Sequence, residues 1–152
     1  MVLFFVSIIL FNTVAYKMKK HLTKNQMVHI WAFSMILEIL FDILIDEKTH
    51  GYWYFGKGID WTNILVYTIL IPPVCVVFLN WFPFHQSWNK RIGYICIWVV
   101  FISAYELLSV QQPWGYFHYG WWKFIYSLLL DPILLLILLA YYKWICKIEK
   151  MN

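Results

Sequence analysis

The chain has 152 residues, of which 62% are hydrophobic, 22% are aromatic and only 13% are charged. Because about a quarter of the residues in an ordinary soluble domain are charged, this composition excludes such a domain. The formal net charge of +4 comes mostly from lysines that flank apolar segments. It therefore indicates membrane topology and gives no reason to expect nucleic acid as a partner.

Five apolar segments follow one another, and each approaches the length of about 20 residues that a helix needs to cross a bilayer. We therefore predict an all-α fold, a polytopic bundle of five transmembrane helices in a single integral membrane domain over residues 1–152. No positive charge precedes the first segment, unlike a secretory signal, so we expect an uncleaved helix. The predicted helices cover residues 2–16, 27–45, 61–82, 92–110 and 121–142.

Basic residues set the expected orientation of these helices. Nine of the twelve lysines and arginines fall after the first helix, after the third helix or at the carboxyl end. Such residues collect on the cytoplasmic side of a membrane protein. The pattern predicts a multi-pass protein of the cell membrane with its amino terminus outside and its carboxyl terminus in the cytoplasm.

The second predicted helix carries two acids, Glu38 and Asp42, whose side chains share a face because they are four residues apart. An acid at the centre of a membrane helix costs roughly 2.5–3.5 kcal/mol, so two acids about cancel the gain from the apolar residues of this segment. We expect the helix to turn both carboxylates toward other helices or toward water.

Polar and helix-distorting residues also occur in the later predicted helices. Pro72 and Pro73 predict a kink in the third helix, and the fourth helix carries Glu106. The fifth helix contains Asp131, and Lys123 lies on the same face, so we expect Lys123 to reach acids in the outer half. These charges fit either a structural network of ion pairs and hydrogen bonds or a binding site.

Two parts of the chain repeat one pattern. Residues 51–56 and 115–120 both read Gly-Tyr-aromatic-x-aromatic-Gly, and the same shift of 64 residues places Asp42 on Glu106. This similarity predicts two tandem helical hairpins, made of helices 2–3 and 4–5, in addition to helix 1. The alternative is the aromatic belt that membrane proteins carry at the membrane surface.

In the symmetric arrangement, Asp42 and Glu106 would face each other near the outer mouth of one cavity. Acids beside aromatic rings recognise organic amines and quaternary ammonium groups. Several carboxylates in one cavity cannot all ionise cheaply, so protons would compete with a bound cation. We therefore expect an outward-facing pocket that binds or transports a small cation or organic amine with proton coupling. The candidate ligand- or proton-binding residues are Glu38, Asp42, Tyr52, Trp53, Tyr105, Glu106, Tyr116, Phe117, Lys123 and Asp131.

Two other kinds of protein stay open as alternatives. One is an accessory or structural subunit of a larger membrane complex, and the other is a lipid-modifying enzyme that uses an acid pair. No catalytic motif is present, so we name no catalytic residue. His50 and His118 lack a metal-ligand spacing, and the cysteines Cys75, Cys96 and Cys146 form no disulfide framework. We expect no metal and no cofactor, the lipid bilayer as partner, and self-association of so small a chain.

Several strings resemble one family of membrane proteins. They are YWYFGKGIDW, NWFPF, GWWKFIYS and the triplet Tyr105-Glu106-Leu107. These strings resemble small multi-spanning membrane proteins, functionally uncharacterised, of spore-forming Bacillus- and Clostridium-type bacteria, and the resemblance extends from about Leu37 to Ser127. It implies a bacterial inner membrane and transfers no catalytic residue to this chain.

Overall fold

The computed structural model describes residues 1–18, 21–56 and 61–151, and over this part the chain is mostly helical. Its elements are α1 (Val2–Lys17), α2 (Lys24–Glu47), β1 (Tyr52–Tyr54), α3 (Trp61–Trp81), α4 (Trp88–Val110), β2 (Phe117–Tyr119) and α5 (Phe124–Met151). Within the described ranges, four helices are long and apolar enough to cross a membrane, and α1 is apolar but shorter. The predicted all-helical fold is confirmed.

Several helix ends differ from the prediction, most of them because the helix continues beyond the apolar run that reveals it. Helix α2 begins at Lys24 rather than at residue 27, because Thr23 and Gln26 form a capping box with two hydrogen bonds of 3.1 Å. Helix α4 begins at Trp88 rather than at residue 92. Helix α5 begins at Phe124 rather than at residue 121 and continues well past residue 142.

Helix α3 lies at the centre of the bundle. Half of the residues in the most apolar 18-residue stretch of α3 are buried, against 17% of those in the corresponding stretch of each of the other three long helices. Helix α3 packs against α1 and α2, α4 packs against α5, and α2 also contacts α5. The two hairpins that the repeat predicted, α2–α3 and α4–α5, are therefore both present.

The proline pair of α3 lies next to a π-helical turn, Val66–Leu70, at the start of the segment Ile71–Trp81. Prolines remove backbone donors and leave carbonyl oxygens without intrahelical partners. Neighbouring helices supply the donors: Trp31 Nε1 donates to the oxygen of Thr68 (3.1 Å), and Asn12 Nδ2 donates to that of Ile69 (2.9 Å). Such compensation makes prolines tolerable inside a membrane helix, and here it also fixes α1 and α2 to α3.

Hydrogen bonds between loops and helix ends show which parts of the chain lie at the same end of the bundle. Gly120 N donates to the oxygen of Gly51 (2.8 Å), and the Met1 amino group donates to the oxygen of Trp114 (3.0 Å). At the other end, Asn25 Nδ2 donates to Glu149 Oε1 (2.8 Å). Both strands and the amino terminus thus lie at one end, called here the strand end, and α5 ends at the opposite end.

Candidate functional site

The strand end carries a two-stranded antiparallel sheet that the sequence analysis did not predict. Tyr52 pairs with Tyr119, and Tyr54 pairs with Phe117. Because side chains alternate along a strand, these four rings lie on one face of the sheet. Trp53 lies on the opposite face, where its ring stacks on that of His118 at 6.0 Å.

Two glycines of the repeated pattern allow the sheet to lie close to the helix ends. A Cβ atom at Gly115 would overlap the carbonyl oxygen of Ser109, and one at Gly120 would overlap that of His50. Backbone can approach backbone this closely only where no side chain intervenes. The glycine–aromatic pattern therefore determines both the position of the sheet and the inward direction of its tyrosines.

A cavity of about 290 Å³ lies beneath the sheet and extends between the helices. Three carboxylates from three helices line it, namely Glu38 of α2, Glu106 of α4 and Asp131 of α5. The described residues of the lining include no lysine, arginine or histidine. Aromatic rings form much of the wall, among them Tyr52, Tyr54, Tyr105, Tyr116, Phe117, Trp98 and Trp122.

Glu38 is the acid of the cavity that lies farthest along its helix from the strand end. It is nine positions, or about two helical turns, before the end of α2 at Glu47, and the last of these turns is π-helical. Tyr54 Oη donates to Glu38 Oε1 over 3.4 Å, a long hydrogen bond. The carboxylate of Glu38 is thus only weakly engaged by the protein.

Glu106 is held more firmly by neighbouring donors. Tyr119 Oη donates to Glu106 Oε1 over 2.5 Å, and Ser127 Oγ donates to the same oxygen over 2.8 Å. Trp122 Nε1 in turn donates to Ser127 Oγ over 2.9 Å. Both donors to Glu106 use Oε1, so the described contacts orient this carboxylate through one of its two oxygens.

Asp131 is held less firmly by hydrogen bonds than Glu106 is. Its Oδ2 atom is buried and has no hydrogen-bond partner among the described residues. Asp131 interacts electrostatically with Glu106 and with Glu38, the other two acids of the cavity. A buried oxygen without a donor is unfavourable, and a cationic group in the cavity would satisfy it.

Asp42 does not line the cavity, although it shares a face of α2 with Glu38. Tyr52 Oη donates to Asp42 Oδ1 over 2.9 Å, and Tyr67 Oη donates to Oδ2. Asp42 lines a separate pocket of about 150 Å³ together with Glu47. The ring of Tyr52 therefore separates the two spaces: it lines the cavity while its hydroxyl holds Asp42 on the other side.

The tyrosines of the sheet act as hydrogen-bond donors. Burial, and next the negative charge of Glu38 nearby, raises the pKa of the Tyr52 hydroxyl. Burial is also the main cause that raises the pKa of Tyr54 and Tyr116. All three hydroxyls therefore stay protonated at neutral pH, which keeps the Tyr52 and Tyr54 protons available to the carboxylates of α2.

Tyr105 connects the cavity wall to α1. Its hydroxyl donates to Ser7 Oγ over 2.9 Å and lies 3.0 Å from the hydroxyl of Tyr116. The short first helix thus closes one side of the cavity, and Phe11 of α1 contributes to the lining.

Besides Asp42, two further candidate residues do not line the cavity. Lys123 is exposed and precedes α5, so it is not on the helical face that carries Ser127 and Asp131. Trp53 points to the other face of the sheet, because it alternates with its two neighbours in β1. Glu38, Tyr52, Tyr105, Glu106, Tyr116, Phe117 and Asp131 do line it.

Several residues of the site were missed by the sequence analysis. Tyr54 lines the cavity, Tyr67 binds Asp42, and Tyr119 binds Glu106. Three residues are too few for an alternation that would indicate a strand, so nothing in YWY or FHY marked the inward position of Tyr54 and Tyr119. No pattern in the sequence indicates that Tyr67 reaches Asp42 from another helix.

These features define a small helical membrane protein with an acidic, aromatic-walled cavity at one end. Across the described residues, no group of three or more histidine, cysteine, aspartate or glutamate side chains is arranged to hold a metal ion. Comparisons with protein-family models, with curated proteins and with solved structures give no match. The functional argument therefore depends on the chemistry of the cavity.

Proposed function

We propose that the protein binds a small organic cation, such as an amine, in the cavity, in competition with protons, and carries it across the cell membrane. The observation that supports this most strongly is the set of three carboxylates from three helices around a cavity whose described lining has no basic side chain. Carboxylates inside a membrane protein require a partner, which is a proton, a cation or a hydrogen-bond donor.

The aromatic wall distinguishes an organic cation from an inorganic one. Ammonium groups are attracted to the faces of tyrosine and tryptophan rings, and the cavity presents both kinds of ring. Its volume of about 290 Å³ lies near the lower end of the range for small-molecule sites. Apolar rings with a few converging polar groups match an amine that carries a short hydrocarbon part.

Proton coupling follows from the same carboxylates. Glu38 is faced by Tyr54, Asp42 and Asp131, and Glu106 by Tyr119, Ser127 and Asp131. These neighbours are hydroxyls or further acids, and none of them is a cation. In an empty cavity, some of the carboxyl groups are therefore most stable when they are protonated. A cation that enters would displace protons, and a proton gradient could drive its transport.

The orientation of the protein is part of the proposal. Seven described basic residues flank helices at the end opposite the strands, namely Lys17, Lys24, Lys90, Arg91, Lys143, Lys147 and Lys150. On the positive-inside rule this end is cytoplasmic, so the sheet and the cavity beneath it would face the outside of the cell.

Calorimetric titration of the purified protein in lipid nanodiscs tests the binding step. Benzylamine is expected to bind, whereas benzyl alcohol, which has a similar shape but no charge, is not. Binding of benzylamine should weaken as the pH falls, and it should release protons, which is measured as a dependence of the heat on the buffer. Equal binding of both compounds, or binding unaffected by pH, would contradict the proposal.

Matched variants assign the binding to the cavity. Glu38→Gln and Glu106→Gln should each weaken benzylamine binding, since each removes a charge from the lining. Glu47→Gln makes the same chemical change in α2 but outside the cavity and should leave the affinity unchanged. Uptake of radiolabelled amine into proteoliposomes with an imposed pH gradient then tests whether the bound molecule crosses the membrane.

A further inference from the structure

The cavity continues past the acids along the three helices that carry them, away from the strand end. On α3 its lining reaches from Val66 to Phe78, about three helical turns, so the volume of about 290 Å³ belongs to an elongated space. The part of the cavity beyond the acids is called here the apolar extension. Its lining residues on α2, α4 and α5, each one helical turn or more past an acid, are Ser34, Trp98, Phe101, Ile102, Leu135 and Leu138.

The apolar extension has little to offer a charged or polar group. None of the six residues that define it is charged, and the hydroxyl of Ser34 already donates to the oxygen of Trp31 within α2 over 2.9 Å. Water would find few hydrogen-bond partners in such a space, whereas apolar molecules bind well in cavities of this kind. The cavity therefore has carboxylates in one part and room for hydrocarbon in the next.

Buried side chains close the far end of the apolar extension. Phe78 of α3, Trp98 of α4 and Leu138 of α5 all line the cavity and are buried. The rings of Phe78 and Trp98 meet edge-on, with 5.4 Å between their centroids. A hydrocarbon chain that enters from the acids can therefore extend only as far as these three side chains.

One wall of the apolar extension is exposed within the apolar span of α4. Phe101 is 43% exposed, the one exposed residue among those described in the lining, and it lies nine positions before the end of the helix. Phe11 of α1 lies opposite, with 6.1 Å between the two ring centroids, and also lines the cavity. An exposed wall in the middle of a membrane-spanning helix fits a ligand that dissolves in lipid.

From this arrangement we infer that the preferred ligand is a linear alkylamine, with its ammonium group among the three acids and its chain in the apolar extension. One ammonium group suffices, because Asp131 interacts electrostatically with both Glu38 and Glu106. The elongated shape of the cavity favours a single unbranched chain over a compact group. This inference rests on the proposed binding of organic cations and adds the form of their hydrocarbon part.

The test is a titration of the protein in nanodiscs with linear primary amines from butylamine to dodecylamine. Titration of empty nanodiscs corrects the free amine concentration for partition into lipid. The affinity should rise about fourfold for each methylene group that enters the apolar extension. It should stop rising once the chain reaches the buried side chains at the far end.

A matched pair of variants assigns this dependence on chain length to the cavity. Leu134 of α5 lines the cavity where the apolar extension begins, and Leu134→Phe should obstruct the extension, so that the affinity stops rising at a shorter chain. Leu136→Phe makes the same change on the exposed face of α5 and should leave the series as in the wild-type protein. Thermal unfolding verifies that both variants are folded.

The outcomes separate this inference from the proposed function. Amine binding whose affinity does not depend on chain length, or rises without levelling off up to dodecylamine, overturns the inference and leaves organic-cation binding in place. An unchanged series in folded Leu134→Phe protein also overturns the inference. Absence of binding for every amine, benzylamine included, overturns both.

Discussion

At the residue scale, Asp42 and Glu38 show how one helical turn separates two roles. Asp42 receives hydrogen bonds from Tyr52 and Tyr67 on its two oxygens and lies outside the cavity, whereas Glu38 lines the cavity with one long hydrogen bond. Asp42 therefore has the contacts of a structural residue that anchors β1 and α3 to α2. Glu38 has those of a binding residue.

The structural role of Asp42 predicts the effect of removing a single hydroxyl. Tyr52→Phe should lower the free energy of unfolding by about 2 kcal/mol, because a hydrogen bond to a charged group contributes about 1.5–3 kcal/mol. Denaturant titration in nanodiscs measures this change. Tyr126→Phe, which alters an exposed tyrosine of α5, serves as the control and should have no measurable effect.

A double-mutant cycle checks that the lost stability belongs to the Tyr52–Asp42 pair. In a protein that already carries Asp42→Asn, the further change Tyr52→Phe should cost clearly less than it does in the wild-type protein. Equal costs in the two backgrounds would show that the hydroxyl acts through some other contact.

Glu106 and Asp131, two acids of the cavity, predict opposite changes in stability. Asp131→Leu should raise the melting temperature, since it replaces a buried oxygen that has no donor by an apolar group of similar size. Glu106→Leu should lower it, because Tyr119 and Ser127 would lose their acceptor. Both variants should bind amines more weakly. Thermal unfolding of both variants measures this contrast, and a lower melting temperature for Asp131→Leu would show that its carboxylate has a partner.

At the element scale, the sheet depends on glycines that permit close backbone approach. Gly115→Ala should lower the free energy of unfolding by about 3 kcal/mol or more, because the added Cβ overlaps the carbonyl of Ser109. Gly93→Ala provides the matched control: apart from its own stretch of helix, nothing lies within 4 Å of its added Cβ, and alanine favours a helix over glycine by about 1 kcal/mol. Unfolding curves of the two variants should therefore shift in opposite directions.

The elements also show which parts of the structure the sequence could predict. The helices were evident because each buries a long apolar run in lipid or protein, and the hairpins were evident from the repeated glycine–aromatic pattern. The strands were missed because three residues are too few to establish an alternation, and because β1 pairs with β2 across more than sixty positions of sequence. Helix ends were misplaced where a cap such as Thr23 extends the helix into polar sequence.

The candidate site, too, could be predicted from the sequence only in part. Glu38, Glu106 and Asp131 were recognisable because an ionisable side chain within an apolar run is costly in a membrane and turns toward the bundle interior. The position of Asp42 outside the cavity depends on the ring of Tyr52, and this ring is directed by the register of the sheet. Lys123 was assigned to the helical face of Ser127 and Asp131, but α5 begins one residue after it.

At the scale of the whole molecule, the distribution of basic residues predicts a single orientation. A fluorescent protein fused to the carboxyl terminus should fluoresce, and alkaline phosphatase fused at the same position should be inactive, because both readouts report a cytoplasmic location. Fusion of alkaline phosphatase after Gly56, at the strand end, should give an active enzyme. Phosphatase activity at the carboxyl terminus would reverse the proposed orientation.

The pairing of β1 with β2 joins the two hairpins across the top of the cavity. Backbone hydrogen bonds from Phe55 N to the oxygen of Tyr116 (2.7 Å) and from Gly120 N to that of Gly51 (2.8 Å) extend this connection beyond the strands themselves. A guest molecule can pass this way only when the ladder unzips. The residence time of a guest that leaves between the two hairpins at this end should therefore follow the rate of that opening, whatever its affinity.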